Sequence, residues 1–239
     1  MPQSNNIKLS VIIPTLNEAN NVENLIEYLS DNTKNDAVEI IIADAKSTDQ
    51  TAEIAKNCGV KVLVTEKASR AHQMNEGAKV ANGTILYFVH ADVKPPKSFF
   101  EDITKNIDEG GILGCYRFKF DSRHPLLYIN SFFTRFRFLW CRGGDQTMFI
   151  KRTVFETENG FDENFVVMED FELIKRLWKK YQFSVLPKSV IVSARKYDVN
   201  NYFSVNLANL KIFNMFQKGV DPKILKTAYY RLIKHPKDI

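Results

Sequence analysis

Three short apolar runs in the first hundred residues each end in polar or acidic side chains. Residues 10–13 lead into Asn17 and Glu18, residues 39–42 into Asp44, and residues 85–89 into His90-Ala91-Asp92. In an open α/β sheet the ligand crevice lies beyond the carboxyl ends of parallel strands, so three acidic strand ends can converge on one cleft. That arrangement suits a nucleotide held through a metal ion.

Helical patterns alternate with these runs. Residues 9–14 read as a buried strand, and residues 17–21 cap a helix over 22–30 that places Val22, Leu25, Ile26 and Leu29 at helical spacing. A strand over 38–43, a loop over 44–48 and a helix over 49–57 stopped by Gly59 repeat the pattern, and 60–64 supplies another short strand. A helix over 71–81 ends at Asn82-Gly83, and residues 84–89 are too apolar to have one wet face. Such alternation predicts an α/β fold, a mostly parallel sheet covered by helices on both sides.

The second half is less regular. Residues 112–120 and 146–150 read as strands, 126–140 are aromatic and basic, and helix returns over 169–181 and 202–217, with a further segment opening at Asp221-Pro222. No Gly/Ser linker separates these parts. The 239 residues are therefore expected to form one domain: a nucleotide-binding half (9–110), an acceptor and catalytic half (111–200) and a helical C-terminal appendage (201–239).

Composition excludes broad alternatives. At 44% hydrophobic and 26% charged residues the chain sits near globular averages, away from disordered and membrane-spanning classes. Lys and Arg number 33 against 28 acids, a formal charge of +5 concentrated in segments such as 117–142 and 175–180. This surplus suits phosphates or an anionic membrane surface, and nucleic acid is not the expected partner. Cys58, Cys115 and Cys141 form no CxxC pair, which suggests neither a disulfide framework nor a zinc site. Residues 1–8 lack an apolar signal core, and no stretch approaches the ~18 apolar residues of a spanning helix. The expected location is cytoplasmic, with peripheral contact at the inner face of the membrane.

Each polar cluster carries a chemical and a structural reading. Asp92 can bind a hard divalent cation (Mn2+ or Mg2+) that also holds two phosphates, or act as a turn acid capping a helix near Pro95-Pro96. Asp44 can accept hydrogen bonds from a base or ribose, while Ser47, Thr48 or Asp49 reads as a helix cap. Glu169-Asp170 opens a helix, so one carboxylate can serve as a general base or both can stabilise the helix dipole. Arg70 and Asn75 enter the third helix, where an arginine can clamp a diphosphate. Gly144, Asp145 and Gln146, with Gly143, allow close backbone approach to a ligand or form an ordinary turn. Tyr128, Phe132, Phe133, Phe136, Phe138 and Trp140 lie among Arg123, Arg135, Arg137 and Arg142, as an interfacial surface, an acceptor-site wall or core.

Taken together, Pro14-Thr15-Leu16-Asn17-Glu18, residues 44–51, Arg70-Ala71-His72-Gln73-Met74-Asn75, His90-Ala91-Asp92 and Glu169-Asp170 resemble family 2 glycosyltransferases with the GT-A fold. With Gly144-Asp145-Gln146 and Ser193-Ala194-Arg195, the likeness is strongest to the small bacterial group called transferase 2, rSAM/selenodomain-associated. The resemblance covers residues 9–225. It implies a nucleotide-diphosphate sugar donor, with Pro14, Asn17, Glu18 and Asp44 around the nucleoside, and with Asn75, His90 and Ala91 also on the donor side. Arg70 would approach the diphosphate, and Asp92 would take the last position of an Asp-X-Asp metal motif. Asp170, with Glu169 beside it, would be the catalytic base of an inverting transfer, and residues 144–146 would lie on the acceptor side.

Two positions depart from the family pattern. His90 replaces the first acid of the metal motif, which leaves Asp92 as the metal ligand. Ala45-Lys46 replaces a small or glycine pair. Nucleotidylyl transfer is a rival reading, but its glycine-rich basic loop is missing after Ile13. A non-catalytic nucleotide-sugar binder or membrane-associated scaffold is another. A thermal-shift panel of uridine, guanosine, cytidine and thymidine diphosphates, with and without Mn2+, is expected to give a metal-dependent shift for one of the four. A metal-independent response to all would contradict the metal-bridged donor.

Overall fold

The computed structural model describes residues 7–33, 37–143 and 146–234. β1 (Leu9–Thr15) is buried along its whole length. α1 (Ala19–Asp31) turns Val22, Leu25, Ile26 and Leu29 inward, as their spacing predicts. β2 (Val38–Asp44), α2 (Thr51–Asn57), β3 (Lys61–Val64), α3 (Arg70–Lys79) and β4 (Ile85–Phe88) complete the alternating half. Gly59 has a φ of 76°, the left-handed conformation that ends α2.

The second half contains β5 (Val93–Lys94), α4 (Phe99–Asp108), β6 (Leu113–Phe120), α5 (Pro125–Phe133), a 3-10 turn (Leu139–Cys141), β7 (Met148–Lys151) and α6 (Arg152–Thr157). It continues through α7 (Glu169–Leu177), β8 (Phe183–Val192), α8 (Arg195–Asp198), α9 (Tyr202–Gln217) and α10 (Pro222–Leu232). α4 and β8 have no counterpart in the sequence reading. β8 is interrupted by Pro187-Lys188, which argue against a strand because proline cannot donate to a ladder. The register resolves this: Leu186 pairs with Tyr116 and Ser189 with Arg117, so the two extra residues form a bulge.

The strand order is β3-β2-β1-β4-β7-β6-β8-β5 in one eight-stranded sheet. The β3-β2-β1-β4 half is parallel, β7 runs antiparallel to both neighbours, β6 and β8 are parallel, and β5 is antiparallel to β8. Period-2 alternation divides the core into two layers. Val11, Ile13, Ile40, Ile42, Ile85 and Tyr87 pack on one face with α1 and α4. Ile12, Ile41, Leu86 and Phe88 pack on the other with α3 and α7. A smaller cluster of Val167, Ile212, Phe216 and Leu225 fastens α9 and α10 to the segment entering α7.

Parallel pairing puts Thr15 opposite Asp44 and extends β1 beside β4, so the expected acids share one sheet edge. α3 crosses that region closely. A Cβ on Gly77 would come within 2.5 Å of Ile12 Cγ2, with no room for it. Gly77→Ala is expected to destabilise the fold by about 1–3 kcal/mol, read as a lowered thermal midpoint. An unchanged or raised midpoint would contradict this packing.

Candidate active site

Side chains staple the ends of β1 and β2 to each other. Thr15 Oγ1 donates to Asp44 Oδ1 at 2.9 Å, and Ser47 donates through N to Oδ2 at 2.8 Å and through Oγ to Oδ1 at 2.5 Å. The Asp44 carboxylate, expected to face a nucleoside, is thus buried on the donors of its own loops. Asn17 adopts a φ of 52°, its backbone N–H donates to Ser47 Oγ at 2.9 Å, and its side-chain Oδ1 accepts from the Thr48 N–H at 2.9 Å. Lys46 lies at φ 55°, a left-handed conformation costly for a side-chain-bearing residue, which gives a physical reason for glycine at this turn. Beneath both loops, buried Gln73 of α3 donates to Thr15 O at 2.8 Å and Ala43 O at 2.6 Å. No separate role for Gln73 was legible in the sequence. A glutamine on the buried face of a helix was the available signal.

Asp92 lies between β4 and β5 with its side chain 25% exposed, while His90 and Ala91 are buried. The decisive contact comes from the far end of the chain. Arg195 Nη2 lies 3.0 Å from Asp92 Oδ2 and 3.2 Å from Glu18 Oε1, so one guanidinium nitrogen bridges the acids of two strand ends. Asn21 Nδ2 donates to the other Glu18 oxygen at 2.7 Å. The turn carrying Arg195 is itself fixed: the Ala194 N–H donates to Asp121 Oδ1 at 2.8 Å, and the Ser193 N–H to Asp92 O at 3.3 Å. Burial works against the Arg195 charge, but the Asp92 and Glu18 carboxylates outweigh it and raise its pKa above the ordinary value.

Among the described residues, no group of three or more His, Cys, Asp or Glu side chains is arranged to hold a metal ion. The donor set still suits one kind of ion. Asp92 offers a partly exposed hard carboxylate already facing a cation, and Mg2+-like ions are commonly held by one or two carboxylates with phosphates and water completing the shell. The fit is to a cation arriving with a diphosphate rather than to a preformed protein cage.

α7 begins at Glu169 after Met168, whose φ of 69° sets a sharp entry. Glu169 is 1% exposed and pairs with Arg70 Nε at 2.7 Å. Asp170 is 7% exposed and lines a cavity of 430 Å³ together with Arg70, Arg142, Phe171 and Lys196. Asp92 does not line this cavity. Arg195, which holds Asp92, directly precedes Lys196 and Tyr197, which do. A larger hollow of 860 Å³ beside α7 and α10 contains none of the strand-end carboxylates.

Two expected site residues are placed elsewhere. Asn75 Nδ2 donates to Phe161 O at 2.9 Å and to Glu163 Oε1 at 3.2 Å, and its carbonyl accepts from the Phe161 N–H at 3.0 Å. Its amide thus anchors the turn before α7 instead of facing a donor. Burial would raise the Glu163 pKa, but hydrogen bonds from Asn75 and His72 prevail and lower it. Gln146 is buried against Cys115, whose thiol lies 3.5 Å from Oε1, so it points into the interior instead of toward an acceptor. Gly144 and Asp145 lie outside the described residues.

The sequence places Arg142 in a basic aromatic stretch, yet the side chain is buried. It donates to Thr134 O and Phe136 O at 2.6 Å each and to Cys115 Sγ at 3.0 Å, tying that stretch to β6. Burial pushes the Cys115 thiol up to about 11 against the opposing charge of Arg142.

Known structures with little sequence identity share this architecture. S. aureus TarS 1–349 aligns with a TM-score of 0.66 at 19% identity, covering 94% of this chain and 70% of its own. The mannosyltransferase PcManGT from Pyrobaculum calidifontis, solved with GDP-Man and Mn2+, gives 0.65 at 18% identity over 93% and 69%. The fold defines the class, a GT-A-type α/β protein. The model of glycosyl transferase family 2 matches residues 10–160, more than half of the chain, and the chain belongs to that family.

Among curated relatives, a Methanococcus voltae dolichyl N-acetyl-α-D-glucosaminyl phosphate 3-β-D-2,3-diacetamido-2,3-dideoxy-β-D-glucuronosyltransferase is 26% identical over 203 residues, 72% of this chain and 63% of the relative. The dolichol-phosphate mannosyltransferase of Pyrococcus furiosus is 29% identical over 109 residues, 44% of this chain and 31% of the relative. The alignments therefore span 63% and 31% of the lengths of these two relatives.

If Arg195 competes for Asp92, removing it strengthens metal binding to the nucleotide-free protein. A full charge at this range is worth about 1–4 kcal/mol at a partly exposed site, so Arg195→Gln is expected to bind Mn2+ at least about fivefold more tightly by titration. Adding Asp92→Asn should abolish the gain. Equal Mn2+ affinity in wild type and Arg195→Gln would contradict the competition.

Proposed function

We propose that this chain transfers a sugar from a nucleotide-diphosphate donor to an acceptor hydroxyl, with inversion at the anomeric carbon and with a divalent cation, Mn2+ or Mg2+. The observation that carries the reading is the convergence of Asp92 and Glu18 on Arg195, which directly precedes Lys196 and Tyr197 in the wall of the cavity that holds Asp170. Structures similar in fold were solved with UDP-GlcNAc or with GDP-Man and Mn2+, which supports this class of donor. The small bacterial transferase 2, rSAM/selenodomain-associated group remains the proposed subgroup.

In this reading the stapled loops around Asn17 and Asp44 shape the nucleoside side, with the Asp44 carboxylate acting from within. Asp92 would hold the cation, which would supply charge neutralisation at the leaving diphosphate. Arg195 leaves Asp92 for the diphosphate oxygens, and Arg70 supplies a second positive charge from the cavity wall. Asp170 takes the proton from the acceptor hydroxyl. The acceptor oxygen then forms its bond to the anomeric carbon on the face opposite the departing diphosphate, which leaves with the electrons of the broken C–O bond. Glu169, paired with Arg70, orients that arginine and the start of α7.

Residues 9–110, 111–200 and 201–239 are proposed to work as one domain with donor, acceptor and appendage parts. No helix among the described residues is long and apolar enough to cross a membrane. A cytoplasmic location with peripheral contact at the inner membrane face accompanies the functional reading.

Asp170→Asn keeps the shape of the side chain but removes the base. It is expected to lower kcat for sugar transfer by about 10²–10⁴-fold, with nucleoside diphosphate affinity unchanged by titration. Wild-type turnover in this variant would overturn the assignment of the base.

A further inference from the structure

The cavity that holds Asp170 opens beside an aromatic face that the protein leaves in solvent. On one side stand Tyr128, Phe132, Phe138 and Trp140, with Tyr128 78% and Trp140 54% exposed. On the other, Phe203 and Leu207 project from α9, each 68% exposed. The two sides are joined: Asn130 of α5 donates to Asn206 Oδ1 at 3.1 Å and accepts from Tyr202 Oη at 2.8 Å, and the rings of His124 and Tyr202 stack. Phe133, Trp140 and Leu210 belong both to this exposed face and to the cavity wall.

Charge on this face has one sign. No acidic residue occurs between Asp121 and Asp145 or between Asp198 and Asp221, whereas Arg123, Arg135, Arg137 and Lys211 fall within those spans. Arg135 lies over the Phe132 ring, 4.0 Å from its centroid. Exposed Trp, Tyr and Phe side chains interleaved with arginine suit the boundary between lipid headgroups and acyl chains, where aromatic rings insert and guanidinium groups meet anionic phosphates. The absence of acidic residues over both spans makes the face complementary to an anionic surface.

We propose that the face built from α5, residues 134–140 and α9 docks on an anionic lipid bilayer, and that the acceptor is an amphiphile entering the Asp170 cavity from that bilayer. The second clause rests on the sugar-transfer reading above and names its acceptor class. Apolar wall residues Phe133, Trp140 and Leu210 would meet the acceptor's chain, while Lys196 at the cavity would face its anionic headgroup.

The test is co-sedimentation of the whole protein with phosphatidylcholine vesicles, with and without phosphatidylglycerol. Binding is expected to be at least about tenfold tighter to the anionic vesicles, to weaken with added salt and to shift tryptophan emission to the blue. The triple variant Tyr128→Ser, Arg137→Glu, Phe138→Ser lies outside the cavity. It should lose vesicle binding while keeping its thermal midpoint and its nucleoside diphosphate affinity. Wild-type protein that ignores both vesicle types would overturn the proposal, as would a concentration-dependent dimer dissolved by the triple variant, since a second copy would then cover the face. Vesicle binding without any nucleotide binding would leave the docking face standing and overturn the sugar-transfer reading alone.

Discussion

The bridge from Arg195 to Asp92 and Glu18 is the interaction on which the arrangement of the cleft depends. Two carboxylates at the ends of parallel strands repel one another, and a guanidinium between them removes that penalty while holding the last part of the chain over the sheet edge. In the proposed reaction Asp92 would hold a cation in place of the guanidinium, and Arg195 would meet the phosphates that arrive with it.

α3 connects this centre to the rest. At its start Arg70 holds Glu169, one turn later Gln73 caps the carbonyls of β1 and β2, and Asn75 fixes the turn that leads into α7. One short helix therefore references the loops after β1 and β2 and the start of α7 to the same strands. Its close approach at Gly77 makes that referencing rigid. The exposed aromatic face is held by a different device, the buried Arg142, whose two terminal nitrogens donate to backbone carbonyls and a thiol.

The first half of the fold was readable because local pattern and tertiary need agree there. Apolar runs ending in Asp44 and Asp92 are strands on a shared edge, and the spacing of Val22, Leu25, Ile26 and Leu29 matches the buried face of α1. The second half was obscured where the two conflict. Pro187 sits in β8 only because a bulge removes it from the ladder, which the local sequence does not announce. Arg195 meets Glu18 across 177 residues, and a pairing of that range has no periodicity to betray it. Asn75 and Gln146 show the converse. Amides that look suited to a ligand are engaged by neighbours that only the folded chain brings near.

A crystal structure of the protein with Mg2+ and the nucleoside diphosphate it binds tests the central claim most directly. The account predicts that Asp92 holds the ion beside the diphosphate, with Arg195 moved from Asp92 onto the diphosphate and Asp170 facing the open side of the pocket. A bound diphosphate away from Asp92, with Arg195 still joined to Asp92 and Glu18, would contradict it.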